Sequence, residues 1–231
     1  LWAKAVGDIN GDGRIDLIVG GNASGGLVWY ENPSWARHSI DDKGSFGTDV
    51  EVADINRDGR NDVVAVRGKQ LVWYRHGDWA MSIVAEQRFH DVEAVDLNGD
   101  ARIDLVARDQ SAFSGSGAKI HIFLQNEQGG WKDVAIDAPE GEGLRVADMD
   151  GDGRPDVVVN GAWYPNPGPE SLKWRAQPYA AQWRWPHTYV AVADINGDGR
   201  RDIVLSPAEH AGERYRIAWF EGPKDPAQVS R

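Results

Sequence analysis

The chain has no cysteine among its 231 residues, so disulfide staples are excluded and cannot report on the compartment. No apolar run approaches the ~20 residues of a membrane-spanning helix. Basic residues are outnumbered, 25 against 36 acidic, for a formal net charge of −11. That balance lacks the basic footprint of a nucleic-acid binder. A Ser/His/Asp arrangement, a glycine-rich phosphate loop and a zinc-ligand spacing are also missing.

What is present is a nine-residue acidic motif in five copies. It reads DINGDGRID from Asp8, DINRDGRND from Asp54, DLNGDARID from Asp96, DMDGDGRPD from Asp148 and DINGDGRRD from Asp194. The intervals are 46, 42, 52 and 46 residues, the period of propeller blades. The D-x-[DN]-x-D-G pattern suits a turn that wraps calcium, a hard cation needing six to eight oxygens at roughly 2.3–2.6 Å.

The first copy offers Asp8, Asn10, Asp12, the Arg14 carbonyl and Asp16 as ligands. The second offers Asp54, Asn56, Asp58, Arg60 and Asp62, and the third Asp96, Asn98, Asp100, Arg102 and Asp104. Asp148, Asp150, Asp152, Arg154 and Asp156 make the fourth set, and Asp194, Asn196, Asp198, Arg200 and Asp202 the fifth. Glycine at the sixth place suits a backbone angle costly for residues with a Cβ. Ala101 stands there in copy three, so that site is expected to be weakest, and Asp150 adds a charge that should make copy four strongest. The loops hold 16 aspartates, and up to five Ca²⁺ would bring the net charge from −11 to −1. Such loops bind at about 10⁻⁴–10⁻³ M, which points to an extracellular or periplasmic setting. The chain shows no signal peptide and starts beside a strand, the expectation for a mature or excised fragment.

Apolar runs of strand length flank every loop, such as DVEVAD before and DVVAV after the second, and read as hairpins. A third strand carries Trp29-Tyr30, Trp73-Tyr74, Ile122-Phe123, Trp163-Tyr164 and Trp219-Phe220. A fourth is expected to open with Trp35, Trp79, Trp131 or Trp174. The expected fold is therefore all-β: one propeller domain over residues 1–231, with repeats at about 1–46, 47–88, 89–141, 142–187 and 188–231. Five blades are favoured, although the fifth repeat has no tryptophan to open a fourth strand.

The five motifs resemble the FG-GAP/VCBS repeat family, whose pattern is D-h-[DN]-G-D-G-x-x-D-h-h-h. Departures are confined to Arg57 and Ala101. The resemblance implies a calcium-bearing β-propeller, as in integrin α-subunit heads, lectins and several polysaccharide lyases. The segment LVWYENPSW further resembles propellers related to aldos-2-ulose dehydratase, a sugar-acting enzyme.

Eleven tryptophans are enough to suggest sugar stacking, but eight fall in register and read as packing between blades. The five loop arginines are candidates to lie over those rings or to be solvated. Trp2, Trp183 and Trp185 fall outside the register, and the last two, in AAQWRWPH, are read either as a ligand platform at a blade rim or as local packing.

Three and five residues before the motifs, one strand face carries Ala5 and Ala3, Glu51 and Asp49, Glu93 and Asp91, Arg145 and Gly143, and Ala191 and Tyr189. Such charges need partners. With His90 and His187 nearby, His90, Glu93, Glu51 and His187 form the candidate catalytic set, against a hydrated channel bridged by Arg145. Three functions follow. They are an extracellular carbohydrate-binding module, alone or joined to further domains of a secreted protein; a sugar lyase or dehydratase working at the channel mouth; and an adhesion propeller, which should show a broad exposed patch.

Overall fold

Each acidic motif ties two β-branched runs into a hairpin, and repetition of that hairpin builds the molecule. The computed structural model describes residues 3–23, 25–109, 118–207 and 216–224, so Trp2 and His210 lie outside the described residues. Among these there are 19 strands and no helix.

The first sheet runs β1 (Ala3–Gly7), β2 (Asp16–Gly20), β3 (Leu27–Glu31) and β4 (Ala36–Asp41) in sequence order. The second is β5 (Val50–Ala53), β6 (Asp62–Arg67), β7 (Gln70–Tyr74) and β8 (Met81–Ala85). The third is β9 (Phe89–Val95), β10 (Asp104–Asp109), β11 (Lys119–Gln125) and β12 (Trp131–Asp137). The fourth is β13 (Leu144–Ala147), β14 (Asp156–Val159), β15 (Ala162–Tyr164) and the two-residue β16 (Gln177–Pro178). The fifth has three strands, β17 (Thr188–Ala193), β18 (Asp202–Pro207) and β19 (Ala218–Phe220). All pairings are antiparallel between sequence neighbours. This is a β-propeller of about five blades.

The inner strands stand side by side in the order β1, β5, β9, β13, β17, and among the described residues no comparable packing joins β17 back to β1. Four apolar seams lie between consecutive blades. Ile18, Leu27 and Trp29 meet Val63, Val72 and Tyr74 in the first, and the other three repeat that pattern. Each seam is what the alternation of a β-strand dictates: one face of β2, β6 or β10 looks forward and the other back.

Two expectations about tryptophan need correction. Only Trp131 opens a fourth strand; Trp35 and Trp79 sit in turns before β4 and β8 at φ of 54° and 52°, and Trp174 precedes β16. The turn closes when Trp35 N–H donates to the Glu31 carbonyl and Trp79 N–H to that of Arg75, which holds the ring outside the strand. Packing between blades describes Trp29, Trp73, Trp79, Trp131, Trp163 and Trp174, but Trp35 and Trp219 are exposed.

Candidate functional site

Loops one, three and five share one internal geometry, and loops two and four keep two of its three bonds to the first aspartate. Asp8 accepts the Gly11, Asp12 and Gly13 N–H groups at 2.8–3.1 Å, and Asp194 accepts those of Gly197, Asp198 and Gly199 at 2.7–3.1 Å. Asp96 does the same with Gly99, Asp100 and Ala101. These bonds curl the backbone into a ring of oxygens without help from any other element.

The curl demands left-handed backbone at the fourth and sixth places. Gly13 is at φ 82°, Ala101 at 63° and Arg57 at 59°. A Cβ at Gly59 or Gly99 would meet nothing within 4 Å, so the glycine preference comes from φ alone. Arg57 is not a ligand position, yet loop two carries the same kind of backbone strain as loop three.

The ninth aspartate has a second task that the motif does not reveal. Asp16 accepts Ile9 N–H and Asn32 N–H, both at 2.9 Å. Asp62 holds Ile55 and His76, and Asp104 holds Leu97 and Gln125. Asp156 holds Met149 and Asn166, and Asp202 holds Ile195 and Gly222. All five are buried. Each one stitches its loop to the far end of the third strand. Burial pushes Asp156 up to about 7 and Asp104 to about 6, against those hydrogen bonds.

The loop arginines do not lie over tryptophan rings. Arg14 pairs with Asp12 at 3.0 Å and Arg60 with Asp58 at 3.2 Å, and Arg102, Arg154 and Arg200 close on Asp100, Asp152 and Asp198. In loop four, carboxylate oxygens of Asp148, Asp150 and Asp156 all lie within 4.8 Å of one another. In the other loops an asparagine replaces Asp150. Every donor in these sets is oxygen, so they fit a hard cation rather than zinc or copper.

The channel residues form two adjoining groups. Arg145 donates to Glu93 at 2.8 Å. Asp49 accepts Val92 N–H at 3.0 Å, and Asp91 accepts Gly143 N–H at 3.0 Å. Burial, then the Glu93 and Asp49 charges, push Glu51 up to about 8. Burial raises Glu93 to about 7 against the pull of Arg145, and burial with the Asp91 charge raises Asp49 to about 6.

In the second group one oxygen of Glu142 lies 3.3 Å from His90 Nε2 and 3.1 Å from His187 Nδ1. Asp91 lies 3.2 Å from His90 Nδ1. Burial pulls the His90 pKa down, but the Asp91 and Glu142 carboxylates outweigh it and leave it raised. Beneath them the buried Arg108 donates to the Glu142, Gly143 and Pro139 carbonyls and to Asn160 Oδ1. The candidates His90 and His187 thus meet through Glu142, which no motif marked, while Glu51 and Glu93 belong to the neighbouring group with Arg145.

At the rim of the fourth and fifth blades, Trp183 and Trp185 meet edge to face at 4.8 Å, with Arg184 4.9 Å over the Trp185 ring. A groove there is lined by Gln182, Trp183, Arg184, Trp185, Arg216 and Phe220. Trp183 is anchored from below. Its Nε1 donates to Thr188 Oγ1 at 2.9 Å, and its ring packs on the seam between blades four and five. It is therefore also a packing residue of that seam.

Residues 8–65 and 96–159, more than half of the chain, match the model of the FG-GAP-like repeat. The chain belongs to the FG-GAP repeat family. No curated protein matches it. Among the described residues no helix is long and apolar enough to cross a membrane. The first three FG-GAP loops sit at seams, where the next blade grips them: Asn61 Nδ2 donates to the Asp8 carbonyl at 2.7 Å, Gln125 Nε2 to that of Ile55 and Asn166 Nδ2 to that of Leu97. A cation bound in an FG-GAP loop would stiffen a contact between blades as well as a turn.

Proposed function

We propose that this FG-GAP propeller is a calcium-stabilised carbohydrate-binding module that works outside the cytosol, alone or beside further domains. The groove of Trp183, Trp185, Arg184 and Arg216 carries the reading. Indole faces stack on the apolar face of a sugar ring, and the arginines supply planar donors for hydroxyl or carboxylate groups. An acidic polysaccharide suits the two arginines. Calcium would be held by the first, third, fifth and ninth side chains of each loop and the seventh carbonyl, neutralising carboxylates that otherwise rely on one arginine. Met149 of loop four and Trp183 pack into the same seam, so metal loss there would loosen the support beneath the platform.

Glycan-array binding with and without calcium tests this. Trp185→Ala with Arg184→Ala should abolish binding and leave the thermal melt within about 0.5 kcal/mol of the parent, since neither residue is core. An array that is blank in calcium would reject the carbohydrate reading.

A second reading, a sugar lyase or dehydratase, is favoured by one observation: His90 and His187 share the Glu142 carboxylate, and the adjoining group holds Glu51, whose pKa burial and the Glu93 and Asp49 charges push up to about 8. A base and an acid in adjoining groups suit proton abstraction and return. On that reading His90→Ala or Glu93→Gln would eliminate turnover and spare affinity.

A further inference from the structure

From Tyr74 to Trp79 the chain takes five residues, but from Tyr164 to Trp174 it takes ten. In blade two the short turn sets Trp79 edge-on to His76, with 5.4 Å between ring centres, and packs it into the first seam. In blade four the longer segment borders a pocket of about 200 Å³ in the third seam. Trp174, Ile122 and Leu124 line it from that seam, and the exposed Leu172 comes from the longer segment. Loop three adds Asn98 and Asp100 to the lining. The pocket shares no residue with the groove of Trp183 and Trp185.

The walls are aliphatic and indole, so the body of a ligand must be apolar. A sugar ring would set hydroxyls against Ile122 and Leu124 without partners. The Asn166 amide, also in the lining, is already spent on the Leu97 and Pro155 carbonyls and on Gly168 N–H. The other end of the ligand is dictated by loop three, which has less negative charge than loop four. It carries three carboxylates, Asp96, Asp100 and Asp104, because Asn98 stands in the place of Asp150. In loop four, Asp150 joins Asp148 and Asp156 in a set of oxygens within 4.8 Å of one another. The five donors of a loop, one oxygen each, also fall short of the six to eight that calcium takes.

We propose that this pocket binds a small carboxylate with an apolar ring. The ring lies against Trp174 and the carboxylate at loop three, where it gives calcium the negative oxygen that Asp150 gives in loop four. The proposal rests on calcium in loop three and is independent of the carbohydrate groove. By linkage, the acid and calcium tighten each other by the same factor.

Phenylacetate tests this, with 2-phenylethanol and phenethylamine as neutral and cationic controls of similar shape. Binding is read from the Trp174 indole N–H signal in NMR, assigned with Trp174→Phe, and calcium affinity from calorimetry. In calcium, phenylacetate should shift that signal with a Kd of about 1 mM, and EDTA should weaken it by about tenfold or more. Both controls should bind more weakly than the acid. Leu172→Glu changes an exposed side chain and should lose phenylacetate while keeping the thermal melt of the parent. Asn98→Asp supplies the missing carboxylate from the chain itself, so it should tighten calcium and weaken phenylacetate about tenfold. A silent Trp174 signal, equal binding with and without calcium, or an alcohol that binds as well as the acid would overturn the proposal. Calcium heats measured without the acid keep the two readings apart. If calcium binds and Trp174 stays silent, the pocket alone fails; if no calcium binds, the calcium reading fails and takes the proposal with it.

Discussion

Asp8 and Asp194 stand near opposite ends of the chain, yet each accepts the same three backbone N–H groups at nearly the same distances. Three residues upstream of each motif the inner strands have no common residue: Ala5, Glu51, Glu93, Arg145 and Ala191. The loops repeat because backbone geometry dictates them. The channel varies because the blade fold has no use for a particular residue there. A charge that folding does not need, held in a partly buried position, is a candidate for chemistry.

If that contrast is right, substitutions in the two regions should move stability in opposite directions. Asp62→Ala leaves the Ile55 and His76 N–H groups without their acceptor and should cost about 2–5 kcal/mol in urea unfolding with EDTA present. Asp62→Asn, which keeps one acceptor oxygen, should cost less than Asp62→Ala. Equal stability of parent and alanine variant would remove the stitching role.

Glu51→Gln should do the reverse. The Glu51 pKa is raised on folding, to about 8 from an ordinary 4.5. The folded state therefore holds a proton that the unfolded chain has lost, and that contribution to stability is full below about pH 4.5 and gone as pH rises through 8. Glutamine should stabilise the protein at pH 9 by about 1–3 kcal/mol and leave it nearly unchanged at pH 4. A gain that does not depend on pH would mean that Glu51 is not the titrating group.

The smallest effect belongs to the strained turn. Ala101→Gly relaxes a residue at φ 63° and should add about 0.5–1 kcal/mol, seen most clearly as tighter calcium binding at loop three. A weaker third site in this variant would contradict the backbone reading.

The blade architecture was legible because a 42- to 52-residue repeat with alternating apolar strands has few other solutions. The loop ligands were legible as residue types, but the second duty of the ninth aspartate was not, since its partner N–H groups, such as Asn32 for Asp16, belong to a different strand. Glu142 was invisible for a similar reason. It precedes the fourth blade in no motif, and reaches His90 only because β9 and β13 are neighbours in the ring. Trp35 and Trp79 looked like strand starts because the pattern of tryptophan is the same whether the residue begins β4 or closes the turn before it. The unequal fate of the eight repeating tryptophans depends on which blades have neighbours, and periodicity alone treats every repeat alike.

Calcium dependence tests the central claim most directly. The protein is stripped with EDTA, titrated with calcium in a calorimeter, and melted in each state. With ~2 mM free calcium and a Kd of ~0.1 mM, each occupied loop adds roughly 1.8 kcal/mol by mass action, so several loops together should raise the melting temperature by tens of degrees. The account predicts a saturable heat of binding, loop four filling first, and that large rise. Superimposable melts in calcium and EDTA, with no heat of binding, would contradict it.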